Sequence, residues 1–221
     1  MLLDLLQSGD LKMALLSLVL TLPSILLALS LHEAAHGFVA NLCGDPTAKN
    51  LGRLTLNPLK HLDPIGTVLM LVTGYGWAKP VPVNTRYFKN PKKGMALTAL
   101  AGPLMNLTLG LFGAFVYAIL ERFLDFETSA FALAAILFFY YFALINVTYA
   151  VFNLIPLPPF DGSRVLLLFL PTKWYFGIMK YERIIMIVIL VGMASGRFWA
   201  PIGALAELLL DAMLKLAFLL F

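Results

Sequence analysis

An uncharged apolar run from Met13 to Leu31 leads without a break into the sequence His-Glu-Ala-Ala-His at positions 32–36. Such a run is typical of a segment embedded in a lipid bilayer, whose hydrocarbon core takes about 20 apolar residues to cross. Ionisable side chains at that depth are energetically expensive, and they usually face a cavity, a partner helix or an ion pathway. The run therefore predicts a membrane helix whose second half carries functional polar groups.

The composition extends this prediction to the whole chain. Of 221 residues, 61% are hydrophobic, and the mean hydropathy is +0.88, whereas about half of the residues of a soluble domain are apolar. We expect an all-α polytopic membrane protein with about four to six transmembrane or re-entrant helices. The predicted elements are long apolar helices at Leu11–Leu42, Met95–Leu120 and Ala130–Phe152, shorter apolar segments at Ile65–Val72 and Ile184–Gly196, and a short extended or β-like segment near residues 76–84. The last predicted helix, Phe198–Phe221, is amphipathic, with a narrow stripe of charged residues.

Basic residues are concentrated between Gly44 and Gly94. That segment holds Lys49, Arg53, Lys60, Lys79, Arg86, Lys89, Lys92 and Lys93 against only Asp45 and Asp63. In a chain of membrane helices the positive-inside rule accounts for such an excess. We therefore expect a multi-pass plasma-membrane protein with the 44–94 loop in the cytoplasm. The basic side chains can also contact anionic lipid, and no nucleic-acid partner is expected.

The two histidines at positions 32 and 36 are spaced to bind one metal ion. Residues four apart lie on one face of a helix, about 6 Å apart along its axis, and two imidazoles on one face can share a zinc ion. The intervening Glu33 can then act as general base toward a metal-bound water. The predicted chemistry is zinc-dependent hydrolysis inside the bilayer.

A hydrolytic zinc site needs a third protein ligand and one open position. Asp161 is the candidate, because it is the only acidic residue between Glu127 and Glu182. Prolines at 156, 158 and 159 prevent a regular helix before it, and Gly162 frees the backbone after it. Irregular backbone at membrane depth is tolerated where it is buried in protein or lines a water-filled cavity.

Three further polar residues receive separate interpretations. Asn153, where the helix is predicted to end, can donate a hydrogen bond to a developing oxyanion, or it is an ordinary C-terminal asparagine of a helix. The single cysteine, Cys43, lies about 10 Å beyond His36 along the helix axis and is interpreted as a small apolar filler. His61 lies in a polar loop without a helical partner and is interpreted as structural.

At this point the chain resembles a known family. The pentapeptide at 32–36, together with Asn-x-x-Pro-x-x-Pro-x-Asp-Gly at 153–162, is similar to the site-2 protease family of intramembrane zinc metalloproteases. Gly102-Pro103-x-x-Asn106 and the segment 61–67 also resemble bacterial members, and the similarity extends from about Ser30 to Arg164. Phe160 departs from the leucine or methionine of many members, and no accessory domain is expected.

The resemblance implies that His32, His36 and Asp161 bind one Zn²⁺ per chain, that Glu33 is the general base and that Asn153 assists the intermediate. It implies a single membrane-embedded metalloprotease domain over residues 1–221, without a separate soluble domain. The implied activity is hydrolysis of peptide bonds in or near transmembrane helices, as in regulated intramembrane proteolysis. The expected partners are transmembrane protein substrates and the lipid bilayer, and a homodimer is left open.

Two other function classes fit the metal ligands alone. A membrane zinc transporter or metal-binding protein without protease activity would use the same side chains, but it would be expected to carry more acid or histidine residues along several helices. Hydrolysis of a lipid or another non-peptide substrate would use the same catalytic groups. Zinc flux measured against chelator-sensitive proteolysis separates the transporter from the enzyme.

Overall fold

The computed structural model describes residues 11–73, 76–125, 129–194 and 199–220, and those residues are mainly helical. The α-helices are α1 (Leu11–Leu42), α2 (Thr47–Asn50), α3 (Pro64–Thr73), α4 (Pro91–Phe123), α5 (Ala130–Asn153), α6 (Asp161–Val165), α7 (Thr172–Met179), α8 (Glu182–Ala194) and α9 (Trp199–Leu220). Within the described residues there is no β-sheet, and the extended segment at 76–84 forms a single antiparallel bridge between Leu62 and Ala78. The all-α prediction is therefore supported.

Local sequence signals explain where the two central helices begin. Asn90 caps α4, because its side chain accepts a hydrogen bond from the Lys93 backbone N–H, and Pro91 occupies the first helical position, where a missing N–H costs nothing. Ser129 caps α5 in the same way, through the N–H of Ala132. Helix α4 is longer than the predicted Met95–Leu120, because this cap lies upstream of the lysines.

Three helices are long and apolar enough to cross a membrane in the described part of the chain: Leu15–Leu42 of α1, the whole of α4 and the whole of α5. Helix α1 runs through Pro23 without interruption. Helix α3 has only 10 residues, which is too short to span. Any span beyond these three stays a prediction.

Helices α1, α4 and α5 pack against one another, and small residues let α4 and α5 approach closely. A Cβ atom built on Gly110 would lie 2.7 Å from Val147 Cγ2, and one on Gly113 would lie 2.9 Å from Phe142 Cδ1. Close backbone approach is a common basis of helix association in lipid, where no hydrophobic driving force acts between helices. These contacts fix the register between the two helices that flank the polar cluster described below.

Helix α9 covers the other side of α4 and α5. Ile202, Ala206 and Leu210, spaced by four residues, are buried and pack against Val147, Ala143 and their neighbours. The charged side chains of the same helix are exposed, and Lys215 Nζ contacts Asp211 Oδ2 at 2.6 Å. The charged stripe in this segment thus belongs to the outer face of a packed amphipathic helix.

Candidate metal centre

Three side chains from two distant parts of the chain meet at one point. His32 and His36 project from adjacent turns of α1, and Asp161 is the first residue of α6. His32 Nε2 lies 3.0 Å from His36 Nε2, and Asp161 Oδ2 lies 3.1 Å from His32 Nε2 and 3.2 Å from His36 Nε2. Among the described residues this is the one group of three His, Cys, Asp or Glu side chains arranged to hold a metal ion.

Hydrogen bonds fix the orientation of both imidazole rings. His36 Nδ1 lies 2.7 Å from the Thr98 carbonyl oxygen, and that oxygen can only accept, so Nδ1 carries the proton. His32 Nδ1 contacts Asn106 Oδ1. In the neutral imidazoles both Nε2 atoms are then left with a lone pair, which is the form that binds zinc.

The amide of Asn106 is itself oriented by groups that cannot donate. Its Nδ2 donates to the Ala28 carbonyl at 3.3 Å and to Asn146 Oδ1 at 2.8 Å, and Asn146 Nδ2 donates to the Phe142 carbonyl at 2.8 Å. Because the two backbone carbonyls are acceptors only, they set the direction of both amides. Oδ1 of Asn106 must therefore face His32, which makes His32 Nδ1 the donor.

The arrangement of these atoms fits a zinc ion. Two imidazole lone pairs and a carboxylate oxygen converge within about 3 Å of one another, which is electrostatically unfavourable without a cation between them. Ligand atoms about 2.0–2.2 Å from a tetrahedral zinc lie about 3.3 Å apart, so the observed spacing needs little adjustment. The Asp161 side chain is 22% exposed, against 7% for His32, so the open side of the cluster lies toward the carboxylate.

Gly102 on α4 lets the two rings sit against that helix. A Cβ at this position would lie 2.5 Å from His32 Nε2 and 2.6 Å from His36 Cε1, and real contacts at that distance essentially never occur. Because Gly102 has no side chain, both imidazole rings have room to lie against α4. This steric role comes from packing between helices, and the sequence resemblance alone did not reveal it.

Glu33 and Asn153, the two predicted catalytic residues, have different surroundings. Glu33 is partly buried and its Oε2 accepts a hydrogen bond from the Val81 backbone N–H at 2.8 Å. Asn153 is also partly buried, and its Nδ2 donates to the Tyr149 carbonyl, one turn earlier in α5, at 3.0 Å. That contact is the ordinary one for an asparagine at a helix end, and the oxyanion role of Asn153 stays a prediction.

The backbone before Asp161 is broken as the prolines predict: α5 ends at Asn153 and α6 begins at Asp161. The expectation that Gly162 is needed for backbone freedom after Asp161 is wrong, however. Positive φ angles occur only at Gly44 and Gly52 in the described chain. A Cβ on Gly162 would instead lie 2.3 Å from the Leu154 carbonyl oxygen, so glycine is required for close approach to the preceding turn.

The remaining polar residues lie outside the cluster. Cys43 is a partly buried free thiol just beyond the end of α1. His61 is 1% exposed, and its Nε2 donates to the Thr55 carbonyl at 2.8 Å. The residues that sequence reasoning missed are Thr98, Asn146 and Val81. Asn146 carried a usable signal, a side-chain amide in the middle of an apolar helix, whereas Thr98 and Val81 contribute backbone atoms.

We expect Asn106→Leu to weaken zinc binding. The change removes the acceptor of His32 Nδ1 and frees the ring to rotate, and loss of such an outer partner typically lowers metal affinity about 10–100-fold. Zinc affinity is measured by chelator competition on the detergent-solubilised protein. Thr108→Val is the control, since Thr108 Oγ1 bonds only to the Leu104 carbonyl of its own helix. Unchanged affinity in Asn106→Leu would show that the amide does not orient His32.

Comparison with known proteins shows which family the chain is similar to. The family model described as Peptidase family M50 matches residues 121–196, which include Asp161. The putative zinc metalloprotease YwhC of Bacillus subtilis is 45% identical over 143 residues, 65% of this chain and 65% of that protein. The chain is therefore similar to peptidase family M50 over residues 121–196 and to a zinc metalloprotease over 65% of its length. Peptidase family M50 is the site-2 protease family that the motifs resemble.

Two further M50 relatives are more distant. The putative zinc metalloprotease Rip2 of Mycolicibacterium smegmatis is 31% identical over 154 residues, 67% of this chain and 56% of that protein. The zinc metalloprotease MJ0392 of Methanocaldococcus jannaschii is 30% identical over 154 residues, 70% of this chain and 34% of that protein. The chain covers less than two thirds of the length of each of these three relatives. No solved structure matches it.

Proposed function

We propose that this protein is a membrane-embedded zinc endopeptidase that hydrolyses peptide bonds in or near transmembrane helices of membrane proteins. One observation carries the proposal: the two imidazole Nε2 atoms and the Asp161 carboxylate converge within 3.2 Å of one another, and both imidazoles come from a helix apolar enough to span a bilayer. The names of the M50 relatives support zinc proteolysis. The single cluster among the described residues supports one zinc ion per chain.

The proposed chemistry assigns separate tasks to the side chains. Bound zinc would supply Lewis-acid chemistry at the open position by polarising the scissile carbonyl and acidifying water. His32, His36 and Asp161 hold the site. Glu33 takes a proton from the attacking water and passes it to the leaving amine nitrogen, and Asn153 is proposed to donate to the oxyanion.

An apolar groove next to the motif supports a substrate of membrane origin. A cavity of about 620 Å³ lies between α1 and α4, lined by Ala34 and Ala35 of the motif and by Leu104 and Met105. Phe38 of α1 also lines this groove and is 57% exposed. A substrate segment that unwinds locally to expose its carbonyls would meet a predominantly apolar surface here.

Orientation and partners complete the proposal. The basic excess in residues 44–94 supports a cytoplasmic position for that loop in a multi-pass plasma-membrane protein. The partners are then transmembrane protein substrates and lipid. A homodimer stays a prediction.

Reconstitution tests the proposal. We expect the purified protein, placed in liposomes with a pool of bacterial single-span membrane proteins, to generate new N-termini inside or beside transmembrane segments, detected by mass spectrometry. Cleavage should stop when a zinc chelator is added and return with zinc. Zinc flux across the liposomes without any cleavage would overturn the proposal in favour of a transporter, and release of fatty acids alone would favour lipid hydrolysis.

A further inference from the structure

The tripeptide Pro80-Val81-Pro82 contributes one hydrogen-bond donor to the site. Proline has no backbone N–H, so the only amide proton in this stretch is that of Val81. That N–H donates to Glu33 Oε2 at 2.8 Å. Among the described residues, Glu33 Oε1 has no donor. The stretch Lys79–Asn84, called the strap below, therefore engages one carboxylate oxygen of the proposed general base and leaves the other open.

The C-terminal end of the strap is tied to the end of α1 by a buried carboxylate. Asp45 is fully buried, and its Oδ2 accepts from the Asn84 N–H at 2.6 Å. Its Oδ1 accepts from the Thr47 N–H at 2.9 Å and from the Thr47 hydroxyl. Burial raises the pKa of the Asp45 carboxyl, but the hydrogen bonds from Thr47 and Asn84 outweigh that effect and hold its pKa below the ordinary value. The anchor is thus a charged acceptor.

The N-terminal end of the strap is held by the loop that precedes α3. The Lys79 N–H donates to the His61 carbonyl at 2.8 Å, and the Lys79 carbonyl accepts from the Arg53 guanidinium at 2.8 Å. The bridge between Leu62 and Ala78 continues this pairing. Both ends of the strap are therefore fixed, and its middle contacts the motif through the Val81 N–H.

The side chain of Val81 packs against α1 next to the metal ligands. Val81 is 8% exposed, and a Cβ on Gly37, the residue after His36, would lie 3.2 Å from Val81 Cγ1 and 2.7 Å from Leu54 Cδ2. Gly37 thus leaves room for the strap to lie against the turn that carries the motif. The backbone amide and the side chain of Val81 reach the same stretch of helix.

We propose that the strap positions the Glu33 carboxylate. Asp45 anchors the strap, and the Val81 amide holds one oxygen of Glu33 in place. This inference rests on the proposed function, because it assigns Glu33 the role of base. Holding Oε2 in place leaves Oε1 as the oxygen that meets water, and it removes the rotations by which a free carboxylate would leave productive geometry. Asp45 and Val81 are positioning residues, since they act through Glu33.

Hydrogen exchange tests the contact without any need for catalysis. In wild-type protein in detergent, a peptide covering residues 79–84 reports mainly on the amides of Val81, Val83 and Asn84, because prolines 80 and 82 have no amide proton. We expect Glu33→Ala to speed exchange of the Val81 amide about tenfold, as for loss of a hydrogen bond to a charged group. Asp45→Ala should speed exchange of both Val81 and Asn84. The control is Asp211→Ala, which removes an exposed carboxylate from α9 and should leave both rates unchanged.

Kinetics on a cleaved substrate tests the positioning role. Val81→Pro removes the amide proton and also replaces the isopropyl group by a ring that fixes φ, whereas Val81→Ala keeps the amide proton and trims the side chain. Comparison of the two variants separates the loss of the amide proton from the loss of the side chain. We expect kcat to fall about 100-fold in Val81→Pro, the loss typical of a misplaced catalytic group, with KM and zinc content unchanged and a much smaller loss in Val81→Ala. Asp45→Asn retains one acceptor and should recover part of the kcat lost in Asp45→Ala.

Two results would overturn the inference. Identical Val81 exchange in wild type and Glu33→Ala would show that the amide is not held by the carboxylate. Wild-type kcat in Val81→Pro would show that the contact does not position the base. The exchange result stands even if the protein cleaves no peptide, so failure of the strap and failure of the proposed function remain distinguishable.

Discussion

Replacement of Glu33 by glutamine is expected to lower peptide hydrolysis about 10²–10⁴-fold, the contribution typical of a general acid–base group. Zinc content should stay at the wild-type level, because Glu33 is not one of the three converging side chains. Glutamine is nearly isosteric, and its side-chain oxygen can still accept the Val81 N–H that now bonds to Glu33 Oε2. The change thus removes proton transfer while the strap contact is kept.

The measurement is the rate at which new N-termini form in the reconstituted membrane-protein pool, with zinc per chain determined by mass spectrometry on the same samples. Glu207→Gln is the matched control: it makes the same chemical change at an exposed position of α9, far along the chain from the motif. Cleavage at the wild-type rate in Glu33→Gln, with zinc bound, would exclude Glu33 as the base.

Local spacing accounts for the part of the site that the sequence predicts well. His32 and His36 lie on one helix, so their separation follows from helix geometry alone, and the structure places their Nε2 atoms 3.0 Å apart. Asp161 is 125 residues beyond His36 in the numbering, and no spacing rule joins them. Asp161 is predicted as a ligand because it is an isolated acidic residue in an apolar region, between prolines and a glycine.

Packing between helices accounts for what the sequence did not predict. The chain of amides from Asn146 through Asn106 to His32 depends on the register of three helices, which small residues such as Gly110 determine. A periodic pattern in one segment says which face is apolar, but it does not say which polar residue of the next helix lies opposite. Backbone donors such as the Val81 N–H leave no side-chain signature at all.

The starts of α4 and α5 show how well local capping signals predict where a helix begins. The predicted start of α5 at Ala130 is correct, since Ser129 is a good capping residue directly before an apolar run. The predicted start of α4 at Met95 is wrong by four residues, because Asn90-Pro91 is an equally good capping signal. Lys92 and Lys93 therefore lie inside the first turn of α4, and the cap determines where the helix begins.

Gly102→Ala is expected to abolish high-affinity zinc binding, with a loss of at least about 100-fold, the upper range for disturbing the support of a metal ligand. An added Cβ would lie 2.5 Å from His32 Nε2 and Cε1 and 2.6 Å from His36 Cε1, so both rings must move away from Asp161. The helix itself gains from the change, because alanine has a higher helix propensity than glycine by about 1 kcal/mol. Loss of zinc would therefore come from the site and not from unfolding of α4.

Two glycine-to-alanine controls separate these causes. Gly203→Ala on α9 places its Cβ in open space, so zinc affinity should be unchanged. Gly110→Ala on α4 brings a Cβ to 2.7 Å from Val147 Cγ2, so it should lower thermal stability, and it should weaken zinc binding less than Gly102→Ala does. Zinc affinity by chelator competition and unfolding by circular dichroism are measured on all three variants. If Gly102→Ala binds zinc like wild type, the rings do not coordinate metal in the orientation that they adopt against α4, and the assignment of His32 and His36 as ligands through Nε2 fails.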